Sequence, residues 1–159
     1  MSKNESVDRT RGPQITLTTS IGKDDEALVL GLVATSSDDT TADNTTDPAV
    51  PTLLGADVLD DASAAAVTAA LSAVGATGSH GEVTRLAAPE SLGVRVVVAV
   101  GVGDEKSLDD PEKLRQAAGV AIRSLEGFDV VATTLGSTDI GAAVEGLFLG
   151  AYRFEEFRS

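Results

Sequence analysis

The chain has 159 residues, of which 42% are hydrophobic but only 3% aromatic, with no cysteine and a formal net charge of −13 from 25 acidic and 12 basic residues. That length suits one domain with a real core, and the absence of cysteine excludes disulfides and thiolate metal sites, as expected of a protein kept in a reducing cytoplasm. The charge, with no cluster of Lys or Arg longer than a scattered pair, excludes an electrostatic footprint for nucleic acid or anionic lipid, and no apolar run reaches bilayer length.

In chain order, residues 1–13 are polar and aperiodic and read as a disordered tail without the apolar segment of a secretory signal. Gln14 to Ser20 alternates Ile15, Leu17 and Thr19 against Thr16 and Thr18, which predicts an edge strand. Ile21 to Asp25 is turn material. Ala27 to Val33 is a continuous apolar run and predicts a buried strand, with Gly31 as a bulge or close-packing point. Residues 34–51 are nearly all Ser, Thr, Asp and Asn; they can bury almost nothing and predict a long surface loop within a domain spanning 14–159.

Asp60 or Asp61 caps a predicted helix from Ala62 to Val74, with Val67, Leu71 and Val74 on its buried face and Gly75 past its end. His80, the single histidine, lies in a Gly-Ser-His-Gly loop and is expected at the surface. Glu82 to Ala87 predicts a short strand, and Pro89-Glu90-Ser91 a turn.

Val94 to Asp104 (VRVVVAVGVGD) is the centre of the design. Its unbroken β-branched run predicts a strand covered on both faces, which Gly101 and Gly103 should end. Leu108 to Glu126 follows as a helix, capped by Asp110 with Pro111 at its first position and carrying Leu114, Ala118, Ala121, Ile122 and Leu125 inward. Phe128 to Leu135 predicts a second buried strand, parallel to the first. Asp139 to Phe157 predicts a last helix with Ile140, Val144, Leu147, Phe148 and Ala151 on its buried face. Gly141, Gly146 and Gly150 each cost this helix about 1 kcal/mol relative to Ala, so its backbone should be packed tightly against something. The fold class is therefore α/β, with a mixed, largely parallel central sheet flanked by helices.

The chemistry visible in the chain is sparse. Gly101-Val102-Gly103-Asp104-Glu105-Lys106 is the one phosphate-loop candidate, making Gly101, Gly103 and Asp104 the candidate cofactor-binding residues. It lacks the third glycine of a dinucleotide fingerprint and the Gly-Lys-Ser/Thr of a P-loop. The paired carboxylates (Asp24-Asp25, Asp38-Asp39, Asp60-Asp61, Asp109-Asp110, Glu155-Glu156) fall mostly in loops or at helix starts, where capping and solvation account for them. No Ser/His/Asp order, histidine pair or HExxH occurs, so no catalytic residue and no metal ligand is assigned.

Ala142-Ala143-Val144-Glu145-Gly146-Leu147-Phe148-Leu149-Gly150-Ala151-Tyr152-Arg153-Phe154, with the strand RVVVAVGVGD and the helix PEKLRQAAGVAIRSL upstream, resembles the N-terminal domain of the leucyl (cytosol) aminopeptidase family. The resemblance covers roughly Ala27 to Ser159; the tail before Gln14 and the Ser/Thr/Asp loop depart from the family's usual pattern. It implies a macro-domain-like three-layer sandwich that is not itself catalytic, followed by a larger catalytic domain. That second domain would hold two divalent metals, manganese or zinc, and remove N-terminal residues from peptides. It further implies a cytoplasmic homo-hexamer in which this domain helps arrange subunits and active-site access. None of the family's metal-binding motifs matches a position here. The alternative is a macro-like module that binds a nucleotide or ADP-ribose near Gly101 to Asp104; a DNA-binding side-role, also known in the family, is opposed by the charge.

Overall fold

A computed structural model describes residues 13–35 and 50–152. Two apolar runs set its centre. Strand β1 (Ala27–Ala34) and strand β4 (Val96–Asp104) pair in parallel from Ala27 opposite Val96 onward, with a register shift between Leu32 and Val33. Both are buried over nearly their whole length, as an apolar run without alternation requires. Strand β3 (Val83–Ala87) adds to the far side of β4 antiparallel, and its alternating exposure fits a position at the sheet edge. The other side of β1 is divided. Its first half pairs in parallel with β5 (Val131–Thr133), and its second half pairs antiparallel with β2 (Thr52–Leu54).

The side chains of β1 and β4 alternate between two cores. Ala27, Val29, Val98, Val100 and Val102 face helices α2 (Pro111–Arg123) and α3 (Ile140–Tyr152). Leu28, Leu30, Leu32, Val97 and Ala99 face helix α1 (Asp61–Ala73), meeting its Val67 and Leu71. The result is a three-layer α/β sandwich with a mixed sheet, its parallel pairs at the centre.

Helix starts follow the capping residues. The Asp60 carboxylate accepts from Ser63 N–H at 2.8 Å, and that of Asp110 accepts from Glu112 N–H at 2.9 Å, with Pro111 at the first helical position. α2 buries Leu114, Ala117, Ala118, Gly119 and Ala121, while Ile122 is only half-buried.

Five expectations change. Residues 14–20 form no strand: Leu17 is exposed, the Thr18 hydroxyl turns back to Ser20 C=O at 3.0 Å, and β5 and β2 already occupy the open side of β1. β2 was not foreseen, because its three residues follow a long polar stretch without a period; of the expected loop, 36–49 lies outside the described residues, as do the tail 1–12 and residues 153–159. Val74 is exposed because the helix ends at Ala73 and leaves it as the C-cap, one residue past the turn that buries Leu71. The strand expected over Phe128 to Leu135 shrinks to β5, half-buried, because it pairs with only three residues of β1. Finally, Gly101 and Gly103 do not end β4, which runs through both to Asp104.

The buried face of α3 also differs. Ala142, Ala143, Gly146 and Gly150 point inward, whereas Ile140 and Phe148 stand 44% and 43% exposed. The reason lies in the fit against α2. A Cβ on Gly146 would lie 2.2 Å from Arg115 C=O, and one on Gly150 would lie 2.3 Å from Ile122 Cγ2 and 2.8 Å from Gly119 Cα. The two helices touch backbone to backbone, so the glycine cost was correctly read as close packing at 146 and 150. Gly141 meets nothing nearer than Asp139 Oδ1 at 3.4 Å and takes no part in it.

Candidate functional site

The residues singled out for anion binding lie at the C-terminal end of β4, where parallel strands commonly present ligand loops. Here that end is already covered. The loop joining α1 to β3 folds across it so closely that a Cβ on Gly101 would fall 1.9 Å from Ser79 C=O. Gly101 N–H donates to Glu82 C=O at 2.8 Å, Gly81 N–H donates to Gly101 C=O at 2.9 Å, and Gly103 N–H donates to Gly78 C=O at 3.1 Å. Both glycine amides are thus spent within the chain. Gly103 adopts φ +95°, a conformation open to glycine, and a Cβ there would press on Ser107 Oγ at 2.7 Å.

Asp104 is equally committed. Its Oδ1 accepts from the Ser107 hydroxyl at 2.7 Å and from Ser107 N–H at 3.0 Å, capping the short turn of residues 105–109. The hydroxyl bond, then the amide bond, hold its carboxyl below the ordinary aspartate value. A phosphate approaching these three residues would find a strand and an occupied cap rather than free donors.

Sequence reasoning missed the residue that organises this end of the sheet. The Glu82 carboxylate gathers N–H donors from Thr77 at 3.0 Å, Gly78 at 2.7 Å and Ser79 at 3.2 Å, together with the Thr77 hydroxyl at 2.8 Å. Consecutive amides turned toward one point form an anion-binding concavity, and the chain fills it with its own side chain. The signal in the sequence was a carboxylate directly after a Thr-Gly-Ser-His-Gly loop, too common a pattern to stand out. His80, expected at the surface, is half-buried, with Nε2 3.2 Å from Lys113 C=O, tying the loop to the start of α2. With a backbone carbonyl as its partner, it is paired with no nucleophile.

Two further carboxylates, Asp60 and Glu26, stabilise the fold. Asp60 caps α1 and also accepts from the buried Ser63 hydroxyl at 2.8 Å, which in turn meets Ser91 Oγ at 2.6 Å. Glu26 joins Arg95 at 2.9 Å and accepts from Asp129 N–H at 2.7 Å, a bond that lowers its pKa. Among the described residues no group of three His, Cys, Asp or Glu side chains is placed to hold a metal ion, and no helix is long and apolar enough to cross a membrane.

Comparison with known proteins decides the lineage where site chemistry does not. Residues 42–159 match the model of the cytosol aminopeptidase family, N-terminal domain. The chain belongs to the cytosol aminopeptidase family. A "probable cytosol aminopeptidase" of Nocardia farcinica is 47% identical over 154 residues, covering 96% of this chain and 29% of that protein. One from Rhodococcus jostii is 43% identical over 151 residues, covering 95% and 28%, and one from Corynebacterium diphtheriae is 48% identical over 118 residues, covering 69% and 23%. The chain therefore spans under a third of the length of the curated relatives it matches.

Proposed function

We propose that the chain is the non-catalytic N-terminal domain of a cytoplasmic, metal-dependent leucyl aminopeptidase, whose own part is to arrange subunits and shape access to the active sites. The observation that carries this reading is the family match over residues 42–159, joined to relatives more than three times as long. Hydrolysis of a peptide bond by a metal-bound water needs several convergent ligands and an open coordination position. The carboxylates of Asp60, Glu82, Asp104 and Glu145 are instead bound to amides, hydroxyls and guanidinium groups of this chain. These residues do not fit a metal centre, and no step of the reaction is assigned to them. Two divalent ions, manganese or zinc, belong in this reading to the C-terminal catalytic domain, and the assembled protein is a homo-hexamer. The net charge of −13 supports a domain with no nucleic-acid partner.

The test is release of a leucyl chromophore with added manganese or zinc, run on the 159-residue chain beside the full-length protein. Turnover is expected from the full-length protein alone. Metal-dependent turnover by the short chain, with contaminating peptidases excluded, would overturn the non-catalytic reading.

A further inference from the structure

The α3 helix has a second apolar surface that the described residues leave partly exposed. Gly146 and Gly150 face α2, and Ala143 with Leu147 join the core beneath. At 100° per residue, Ile140, Val144 and Phe148 fall on one stripe at i, i+4 and i+8, displaced from the glycine seam by about a third of a turn or more. Ile140 and Phe148 are 44% and 43% exposed and Val144 is half-buried. The chain has only four Phe and one Tyr; Phe128 packs against the core that faces α2 and α3, whereas Phe148 on this stripe is left 43% exposed, an expensive placement for so large an apolar side chain. Next to α3 in the chain, β5 pairs with β1 alone among the described strands, and Val130 before it is 46% exposed.

We propose that the stripe Ile140, Val144 and Phe148 is the docking surface for the polypeptide that follows this domain in the full-length protein. The inference rests on the reading of the chain as the N-terminal domain of a longer aminopeptidase. Its argument is length and position. The match is to an N-terminal domain, the relatives have more than twice as much chain again, and α3 is the last described helix before that remainder begins. A covalently linked partner starting next to the stripe acts at high effective concentration, so a small apolar contact suffices. A second copy of the domain fits poorly. Three partly exposed side chains offer area on the order of 200 Å², against about 800 Å² per partner in a stable interface. Two surfaces from a chain of net charge −13 also repel.

The experiment places the photo-cross-linker benzoylphenylalanine at Phe148 of the full-length protein, with Val74 as control because it is 59% exposed and lies on the opposite side of the sheet. Subunits carrying ¹⁴N and ¹⁵N are mixed before irradiation, and cross-linked peptides are read by mass spectrometry. The expected result is a several-fold higher yield from 148 than from 74, joining position 148 to residues beyond 159 of the same isotopic chain. Cross-links between light and heavy chains, or a yield no higher than at 74, would overturn the proposal. If the substitution at 148 impairs folding, the same probe at Ile140 serves. Leucyl-chromophore release on the same samples separates the two readings, since cross-links without turnover would remove the aminopeptidase activity and leave the docking surface standing.

Discussion

The two sides of the sheet are held by different means. On one side α1 meets the strands through side chains: Val67 and Leu71 against Leu28, Leu30 and Leu32, with Asp60 and Ser63 fixing its first turn. On the other side α2 and α3 meet through their backbones, with Gly119, Gly146 and Gly150 at the seam and Arg115 bridging Glu112 on its own helix to Glu145 on α3. The salt bridge to Glu145, then the one to Glu112, raises the Arg115 pKa further above its ordinary value. Side-chain packing tolerates loss by partial relaxation; backbone packing has nothing flexible to move. The α1 side should therefore respond in proportion to the volume removed, and the α2/α3 side in an all-or-none way to volume added.

Gly146→Val is the strongest break. Its first carbon would meet the Arg115 carbonyl at 2.2 Å and Ala118 Cβ at 2.8 Å. Separating the helices to admit it also opens the core beneath, so the loss should exceed about 5 kcal/mol, comparable with the whole stability of such a domain. Circular dichroism melts should show no cooperative transition. A melt within a few degrees of the parent would mean the seam is not as tight as its geometry. On the α1 side, Leu71→Ala removes a fully buried side chain and should cost about 2–4 kcal/mol with cooperativity kept. Urea titration would measure it, and a cost below about 1 kcal/mol would show that this layer repacks freely.

Gly141→Ala sharpens the comparison from the opposite direction. It lies on the same helix but away from the seam, with only Asp139 Oδ1 within 4 Å of an added Cβ. Without a clash, the intrinsic preference of Ala for helix should raise stability by about 0.5–1 kcal/mol. One helix would then hold two glycine positions of opposite sign. Destabilisation at 141 would place the tight contact across the whole helix.

The same contrast governs what the sequence disclosed. α1 was legible because its inward residues, Val67 and Leu71, are large and spaced at i, i+4, and its cap is an aspartate. β1 and β4 were legible because unbroken Val and Leu runs have few other homes. The face of α3 was misread because a search for large apolar side chains finds Ile140 and Phe148, while the surface that packs consists of glycine and alanine. Its tightness, however, was visible as a helix tolerating three glycines. The end of β4 was misread for a related reason. Gly101 and Gly103 look like loop residues, yet they are in the strand because another backbone crosses it there. Glu82 gave no pattern at all, since its role depends on three amides that only the folded loop turns toward it.

The smallest effect concerns acid, and it too should divide the two sides. Asp60 is held below its ordinary value of 3.8, first by the Ser63 amide and then by the Ser63 hydroxyl. Glu112, at the start of α2, is held below 4.5, first by the Gln116 amide and then by Arg115. A carboxyl with a depressed pKa binds its proton more readily in the unfolded chain, so its contribution is present in full above the unfolded value and is lost as pH falls through the folded one. Between pH 7 and the isoelectric point near 4.3, relief of the −13 charge acts the other way. The melting temperature should thus hold or rise down to about that pH and fall below it. α1 depends on its charged cap and has no glycine seam, so its amides should exchange earlier than those of α3 at pH 3. Asp60→Asn keeps a capping oxygen but cannot titrate. It should melt slightly lower than the parent at pH 7, show a shallower acid limb, and converge with the parent once both caps are neutral. An unchanged acid limb, or α3 exchanging before α1, would show that the cap is not what holds the single-helix side in place.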